Sequence, residues 1–209
     1  MLTIDDVRRA LARPRPGWAG QSKMMPRPRP GTLFPPPPTG PRKEAGVLIL
    51  LYSENDELNF LLTRRTETVA LHKGQISLPG GMREDGESLA GTALRETMEE
   101  LGVDHAHVEI LGEPLTPVYI PVSEFWVTAF VGHASDNLTL RIQQDEVVEI
   151  LQVPLRELLD EASVREEDWT IRGNAARVPF FYLYGHKVWG ATAMILSEFK
   201  EILAGGKEG

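Results

Sequence analysis

The sequence predicts an α+β fold in which a mixed sheet lies between helices. Three observations carry this. Ala45 to Tyr52 is a continuous apolar run, the mark of a strand buried on both faces. Shorter strand patterns recur downstream, bounded by turn residues. Two longer segments, 88–101 and 190–203, have the spacing of amphipathic helices.

Taken in order, Thr3 with Asp5 and Asp6 reads as an N-cap with acids in the first turn, opening a helix through Ala12. From Arg13 to Arg42 the chain is dense in proline, with Pro35 to Pro38 unbroken and basic residues interspersed. Proline removes backbone donors and fixes φ, so an extended arm is expected here: a strap over the domain, or alternatively a partner-binding or dimer-swapped arm. Residues 1–43 are therefore set apart as helix plus arm, and 44–209 as the domain. Asn55 and Asp56 supply a turn, and 58–63 is the return strand of a hairpin. Pro79-Gly80-Gly81 is a glycine-rich loop leading into the acidic helix, and Gly102 is its C-cap. Strands are expected at 108–111, 125–132 and 146–153, the last closed by Pro154. A short helix over 155–161, a hairpin from 178–183 to 187–189 and a helix over 190–203 complete the chain.

The chain has 209 residues, 42% of them hydrophobic, enough for one domain with a core and a tail. It contains no cysteine, which excludes disulfides, zinc–thiolate sites and a thiol nucleophile. That absence and the lack of an apolar leader core point to a cytoplasmic setting. No apolar run is long enough to span a bilayer. A net charge of −8 argues against nucleic acid as a partner, and it is awkward for an enzyme acting on anions unless a cation intervenes locally.

The chemistry is concentrated between Gly81 and Val103. If 88–101 is helical, Glu96, Glu99 and Glu100 share one face at i, i+3 and i+4. Ala90, Leu94, Met98 and Leu101 then lie roughly opposite and pack on the sheet. Three like charges on one face cost stability in an isolated helix, so their clustering makes sense around a cation. Carboxylates without histidine or thiol neighbours suit magnesium or manganese. Taken alone, Glu-x-x-Glu-Glu reads more readily as a solvated acidic face with Arg95 as an ion-pair partner.

The flanking residues decide between these. Gly81, five residues, Glu87, seven residues, then Arg95-Glu96-Thr97-Met98-Glu99-Glu100-Leu101-Gly102-Val103 resembles the Nudix box, G-x5-E-x7-R-E-U-x-E-E-x-G-U with U aliphatic, which fixes about eight positions over 23. Thr97 stands where an aliphatic residue is usual, a mild change on the buried face. The resemblance implies an α/β/α Nudix sandwich that hydrolyses a nucleoside diphosphate linked to a further group. It implies Glu96, Glu99 and Glu100 as magnesium ligands, with manganese able to substitute and the Gly80 carbonyl as a further ligand. Arg95 would orient the carboxylates through a two-pronged hydrogen bond, and Glu87 would support the loop. The resemblance also implies metal-assisted attack by water, with a carboxylate taking the proton. Glu99, Arg95 and Glu146 form the expected catalytic set, Glu146 as a downstream base or ligand and Glu149 as a second choice for that role.

Upstream, Leu61-Leu62-Thr63-Arg64-Arg65-Thr66 followed by Gly74 and Pro79-Gly80-Gly81 resembles the second motif of the coenzyme A pyrophosphatase branch, L-L-T-x-R-S-x3-R-x3-G-x3-F-P-G-G. Ala70 replaces its second arginine, removing a phosphate contact. Thr116 to Ser123 and Val188 to Ala193 resemble the same branch. The resemblance implies coenzyme A as substrate, split into 3′,5′-ADP and 4′-phosphopantetheine, with Arg65, His72, Gly74, Gln75 and Gly81 binding it. Arg64, Arg65, His72 and Lys73 also supply local positive charge in an acidic protein, or else are solvated charges on a hairpin edge. Trp126 and Trp189 read as core residues ahead of stacking platforms. ADP-ribose or another nucleotide sugar is the alternative substrate, and a non-catalytic binding module the alternative class. The expected partner is a small-molecule nucleotide, with no membrane and a homodimer through the arm as an open alternative.

Overall fold

The structure is a computed structural model describing residues 2–27, 42–66, 75–121, 123–134, 138–143, 147–171 and 173–205, with only the backbone at Arg65 and Asn174. Helix α1 (Ile4–Leu11) begins as its sequence predicts. The Thr3 side chain accepts from the Asp6 N–H while the Asp6 carboxylate accepts from the Thr3 N–H, a reciprocal capping box. The next segment departs from an extended arm. Between Pro16 and Pro26 the chain has no proline, and there it forms a short helix, α2 (Trp18–Gln21), and a 3₁₀ turn (Ser22–Met24). Residues 28–41 lie outside the described residues.

Strand β1 (Lys43–Glu54) turns at Asn55 and Asp56, both at positive φ, into β2 (Glu57–Arg65). Two left-handed residues in succession make the turn type whose twist suits a tight hairpin. Then follow β3 (Ile76–Ser77) and β4 (Gly80–Met82), so the glycine-rich stretch is a short strand rather than a loop. Helix α3 (Leu89–Leu101) comes next, then β5 (Val108–Ile110), β6 (Val118–Ile120), β7 (Phe125–Ala134), β8 (Val147–Pro154) and helix α4 (Leu155–Leu159). Strands β9 (Val164–Ile171), β10 (Asn174–Leu183) and β11 (His186–Val188) precede helix α5 (Gly190–Ala204). The sequence reading had no β9. Its charged residues, Arg165 to Asp168, hide the alternation of a strand, and pairing with β10 supplies what pattern does not.

Eight strands form a mixed sheet in the order β3-β2-β1-β7-β5, with β4 also on β1, β6 on β7 and β8 on β2. Only β1 and β7 run parallel among the described pairs of this sheet. Strands β9 to β11 form a separate antiparallel sheet. The central run of β1 divides by parity. Leu48, Leu50 and Tyr52 join Ala93 and Leu101 of α3 in one apolar cluster. Ile49 and Leu51 join residues of α1, α4, α5 and the small sheet in the other. A strand loaded on both faces needs an unbroken apolar sequence, which is why 45–52 reads as it does. The fold is α+β with helices on both faces of a mixed sheet. Val7, Ala10, Leu11 and Met24 are buried in the same cluster as the domain's own residues, so the described part of residues 2–27 is packed onto the domain.

Candidate metal and pyrophosphate site

Helix α3 is fixed at both ends. The Ser88 hydroxyl accepts from the Gly91 N–H at 3.1 Å, and Gly102, at φ 71°, ends the helix in the left-handed region with its N–H on the Met98 carbonyl. Its N-terminal turn presses on β1 so closely that a Cβ on Gly46 would overlap the Leu89 carbonyl. The buried face differs from the expected one. Thr92, Ala93, Thr97, Glu100 and Leu101 are buried and Met98 is exposed, while Ala90 and Leu94 are only partly covered. Glu100 therefore lies on the buried side of the helix and Met98 on the exposed one. Thr97 is buried, and its hydroxyl donates to the Ala93 carbonyl at 2.6 Å, so this departure from the box is accommodated within the helix.

Arg95 organises the acids. Its Nε donates to Glu87 Oε1 at 3.0 Å, Nη1 to Glu96 Oε1 at 3.0 Å and to Glu99 Oε2 at 3.1 Å, and Nη2 to the Met82 carbonyl at 3.2 Å. One rigid, permanently charged fork thus joins the helix to β4 and to the loop between them. Glu87 also accepts from the Thr92 hydroxyl at 2.7 Å and the Glu84 N–H at 3.3 Å. These contacts, Arg95 first and Thr92 second, pull the Glu87 carboxyl down to about 2, and Glu87 in turn raises the Arg95 pKa. Thr92 was not singled out from sequence. Its signal is its place one helical turn before Glu96 on the same row.

Glu96 is partly buried, Glu99 is exposed and Glu100 is 2% exposed. Gly81 pairs with Gly46 across β4 and β1, and a Cβ on Gly81 would overlap the Glu96 carboxylate. Gly80, at φ 146°, would strike β1 in the same way. The two glycines let the strand backbone and the helix carboxylates approach as no other residue would. Among the described residues no three His, Asp or Glu side chains already converge as a metal cage. The donor set nevertheless fits a hard divalent cation, which takes a few carboxylate oxygens and fills its remaining positions with water and phosphate.

Other expected site residues are placed unevenly. Arg65 ends β2 at a bulge opposite Val147. Gln75 is partly buried just before β3. His72, Gly74, Ala70, Lys73 and Glu146 lie outside the described residues. Glu149 is engaged elsewhere: Arg64 Nε donates to it at 2.8 Å, on the sheet face away from α3. That location removes it from the acidic helix.

An acidic helix packed on a glycine strand through one arginine fork supplies a donor set of the kind that metal-assisted phosphate chemistry uses. The NUDIX domain family model matches residues 42–173, and the chain belongs to the Nudix hydrolase family, which acts on nucleotide pyrophosphates and generally uses divalent metal ions. It is 35% identical over 172 residues to a protein of Photorhabdus laumondii named "Uncharacterized Nudix hydrolase NudL", covering 80% of this chain and 90% of that one. A protein of the same name from Cronobacter sakazakii is 34% identical over 158 residues, 75% and 81% of the two chains. Among solved structures, the MutT protein from Methanosarcina mazei Go1 matches the fold with a TM-score of 0.52 at 21% identity, over 82% of this chain and 99% of that one. Among the described residues no helix is long and apolar enough to cross a membrane.

Proposed function

We propose that this chain is a magnesium-dependent pyrophosphohydrolase that splits coenzyme A or its derivatives into 3′,5′-ADP and 4′-phosphopantetheine, with manganese able to replace magnesium. The observation that carries the catalytic part is the seating of the Glu96 carboxylate on Gly81 while Arg95 holds Glu87, Glu96 and Glu99. Glu96 and Glu100, with Glu99 and the Gly80 carbonyl, would hold the cation. Bound there, it would screen the pyrophosphate charge and acidify the attacking water. Water adds across one P–O–P bond: its oxygen joins one phosphorus, and the bridging oxygen leaves with the other phosphate. The proton passes to a carboxylate, for which Glu99 has the solvent access and Glu146 is the downstream candidate. Arg95 serves by orientation, and Glu87 by fixing Arg95.

The choice of coenzyme A rests on the stretch from Leu61 to Gly81. Leu61 and Leu62 are buried in β2, and the Thr63 hydroxyl lies 3.2 Å from that of Ser77 in β3, three residues before Gly80. Arg65, His72, Gly74, Gln75 and Gly81 are the proposed substrate contacts. One departure favours a second reading. Ala70, where the branch carries an arginine, suits a substrate with one phosphate fewer, such as ADP-ribose or another nucleotide sugar. A panel of coenzyme A, its acyl and oxidised forms and ADP-ribose, assayed with magnesium, separates the two. Release of 3′,5′-ADP from coenzyme A is the expected result. Efficient ADP-ribose cleavage with no turnover of coenzyme A would replace the first reading by the second.

A further inference from the structure

Tyr119, Trp126 and Arg42 stand outside the acidic helix yet on the same side of the sheet. Along β7, Phe125 and Val127 pack into the α5-side cluster while Phe130 packs into the α3-side one, so Trp126 faces the α3 side by alternation. Its cross-strand partners are Glu44 in β1 and Tyr119 in β6. On the far side of Glu44, Arg83 follows Met82 of β4, donates its N–H to the Glu44 carbonyl and pairs with the Glu44 carboxylate at 3.1 Å. Arg83, Glu44, Trp126 and Tyr119 therefore form one row across four strands. The next row on the same face, two residues along, contains Gly81 and Gly46. Strand spacing and rise put Trp126 roughly 12 Å from Gly81, backbone to backbone. A nucleoside diphosphate spans about that distance from its base to its phosphates.

The cluster has the parts of a base-binding platform. The Tyr119 and Trp126 rings lie 5.1 Å apart at 36°, both half-buried, and the Arg42 guanidinium stands over the indole at 5.3 Å. The Trp126 Nε1–H is buried and finds no acceptor among the described residues. An indole donor taken from water without a partner costs free energy, and a buried indole ordinarily has one. Ring nitrogens of a purine are acceptors of the missing kind, and every purine offers a π-face for aromatic and guanidinium stacking. Arg42 adds positive charge where a phosphorylated ligand of an acidic protein needs it.

We propose that Tyr119, Trp126 and Arg42 seat the purine base of the substrate, with Trp126 Nε1 donating to a ring nitrogen. This rests on the nucleotide reading of the site, but not on coenzyme A as the particular substrate. The test is titration of the full chain, without metal, with adenosine 5′-monophosphate and separately with ribose 5-phosphate, following indole emission. The nucleotide should quench emission saturably and the baseless sugar phosphate should not. Trp126→Leu should weaken nucleotide binding on the order of tenfold, through loss of the donor to the base and of the ring contact beside it. Trp126→Phe, which keeps a ring and loses the N–H, should weaken it less, and Tyr119→Leu provides an independent variant should Trp126→Leu fail to fold. Because Trp126 variants alter emission, their affinities are read by calorimetry as well. With a turned-over substrate, KM should rise more than kcat falls. Unchanged affinity in Trp126→Leu or Tyr119→Leu would overturn the proposal, as would equal quenching by ribose 5-phosphate. If coenzyme A is not cleaved but nucleotide binding still depends on Trp126, the substrate assignment falls and this site stands.

Discussion

Glu87 and Glu198 are both carboxyl groups held by several donors, and the way each is held separates the proposed working region from the scaffolding. Glu87 lies at the start of the acidic helix, partly exposed, and its chief donor is a cation, Arg95. Glu198, in the middle of α5, is fully buried, and its described donors are neutral: Gln21 Nε2 at 2.8 Å, the Thr116 hydroxyl at 2.7 Å and the Thr116 N–H at 3.2 Å. Gln21 also donates to the Thr116 carbonyl, and Ser197 beside Glu198 donates to the Gly20 carbonyl. Glu198 therefore ties α2, the β5–β6 connection and α5 into one junction. A charged donor at the surface holds acids together while leaving them able to engage a cation. Neutral donors in the core satisfy one buried carboxyl group and leave none of its oxygens facing solvent. Substitutions in the two regions should fail in different ways, the first in turnover and the second in folding.

The sharpest separation comes from Glu100. Gln is nearly the same shape, and replacing a buried carboxylate by a neutral amide leaves the packing of α3 intact. Glu100→Gln should lose magnesium-dependent turnover by at least on the order of a thousandfold while unfolding at an unchanged urea midpoint. Full activity in that variant would remove Glu100 from the site. Arg95→Lys comes next. Lysine keeps the charge but cannot contact Glu87, Glu96, Glu99 and the Met82 carbonyl together, so turnover should drop roughly 10- to 100-fold. A titration of rate against magnesium should show the weakened site as a higher half-saturating concentration.

These two regions were unequally legible. The acidic helix is legible because the chemistry proposed for it needs fixed spacings: Gly81 leaves room for Glu96, and Arg95 sits one turn from Glu99. Local constraints of that kind are written in contiguous sequence. The β1 run was legible for a similar reason, since burial on two faces leaves no polar position. The junction at Glu198 was not. Its partners are 177 and 82 residues away, and each alone is an ordinary polar residue. The same holds for β9, whose pairing with β10 overrides a charged sequence, and for the helical turn between Pro16 and Pro26, which gains from packing on α5. Which face of α3 is buried, with Glu100 inside and Met98 outside, also depends on tertiary contact, and Gly46 lets the first turns of the helix lie close on β1.

The junction gives the contrasting prediction. Glu198→Ala would leave Gln21 Nε2 and the Thr116 N–H and hydroxyl without their buried acceptor. Each stranded donor costs roughly 1–3 kcal/mol, so the urea midpoint should fall markedly. Turnover per folded molecule at low temperature should stay close to that of the parent. A variant as stable as the parent would mean that water or another group reaches these donors, and the comparison with Glu87 would lose its second half.

The smallest effect expected is on acid stability, and it tests the first half. The folded-state Glu87 carboxyl is held at about 2, below its ordinary value of 4.5, by Arg95 and Thr92. A depressed carboxylate contributes stability that is fully present above its unfolded pKa and is lost as pH falls through the folded one. The window for Glu87 therefore runs from about 4.5 down to about 2. Urea midpoints measured across that range should fall less steeply for Glu87→Gln than for the parent, while the two converge at the acid end. At neutral pH the variant should be less stable, since the Arg95 fork loses its charged partner, and turnover should fall less than in Arg95→Lys, because Glu96 and Glu99 still hold the guanidinium. Parallel curves from pH 7 to pH 2 would show that Glu87 is not held by Arg95 in solution, and the distinction between an ionic and a neutral clamp would then rest on Glu198 alone.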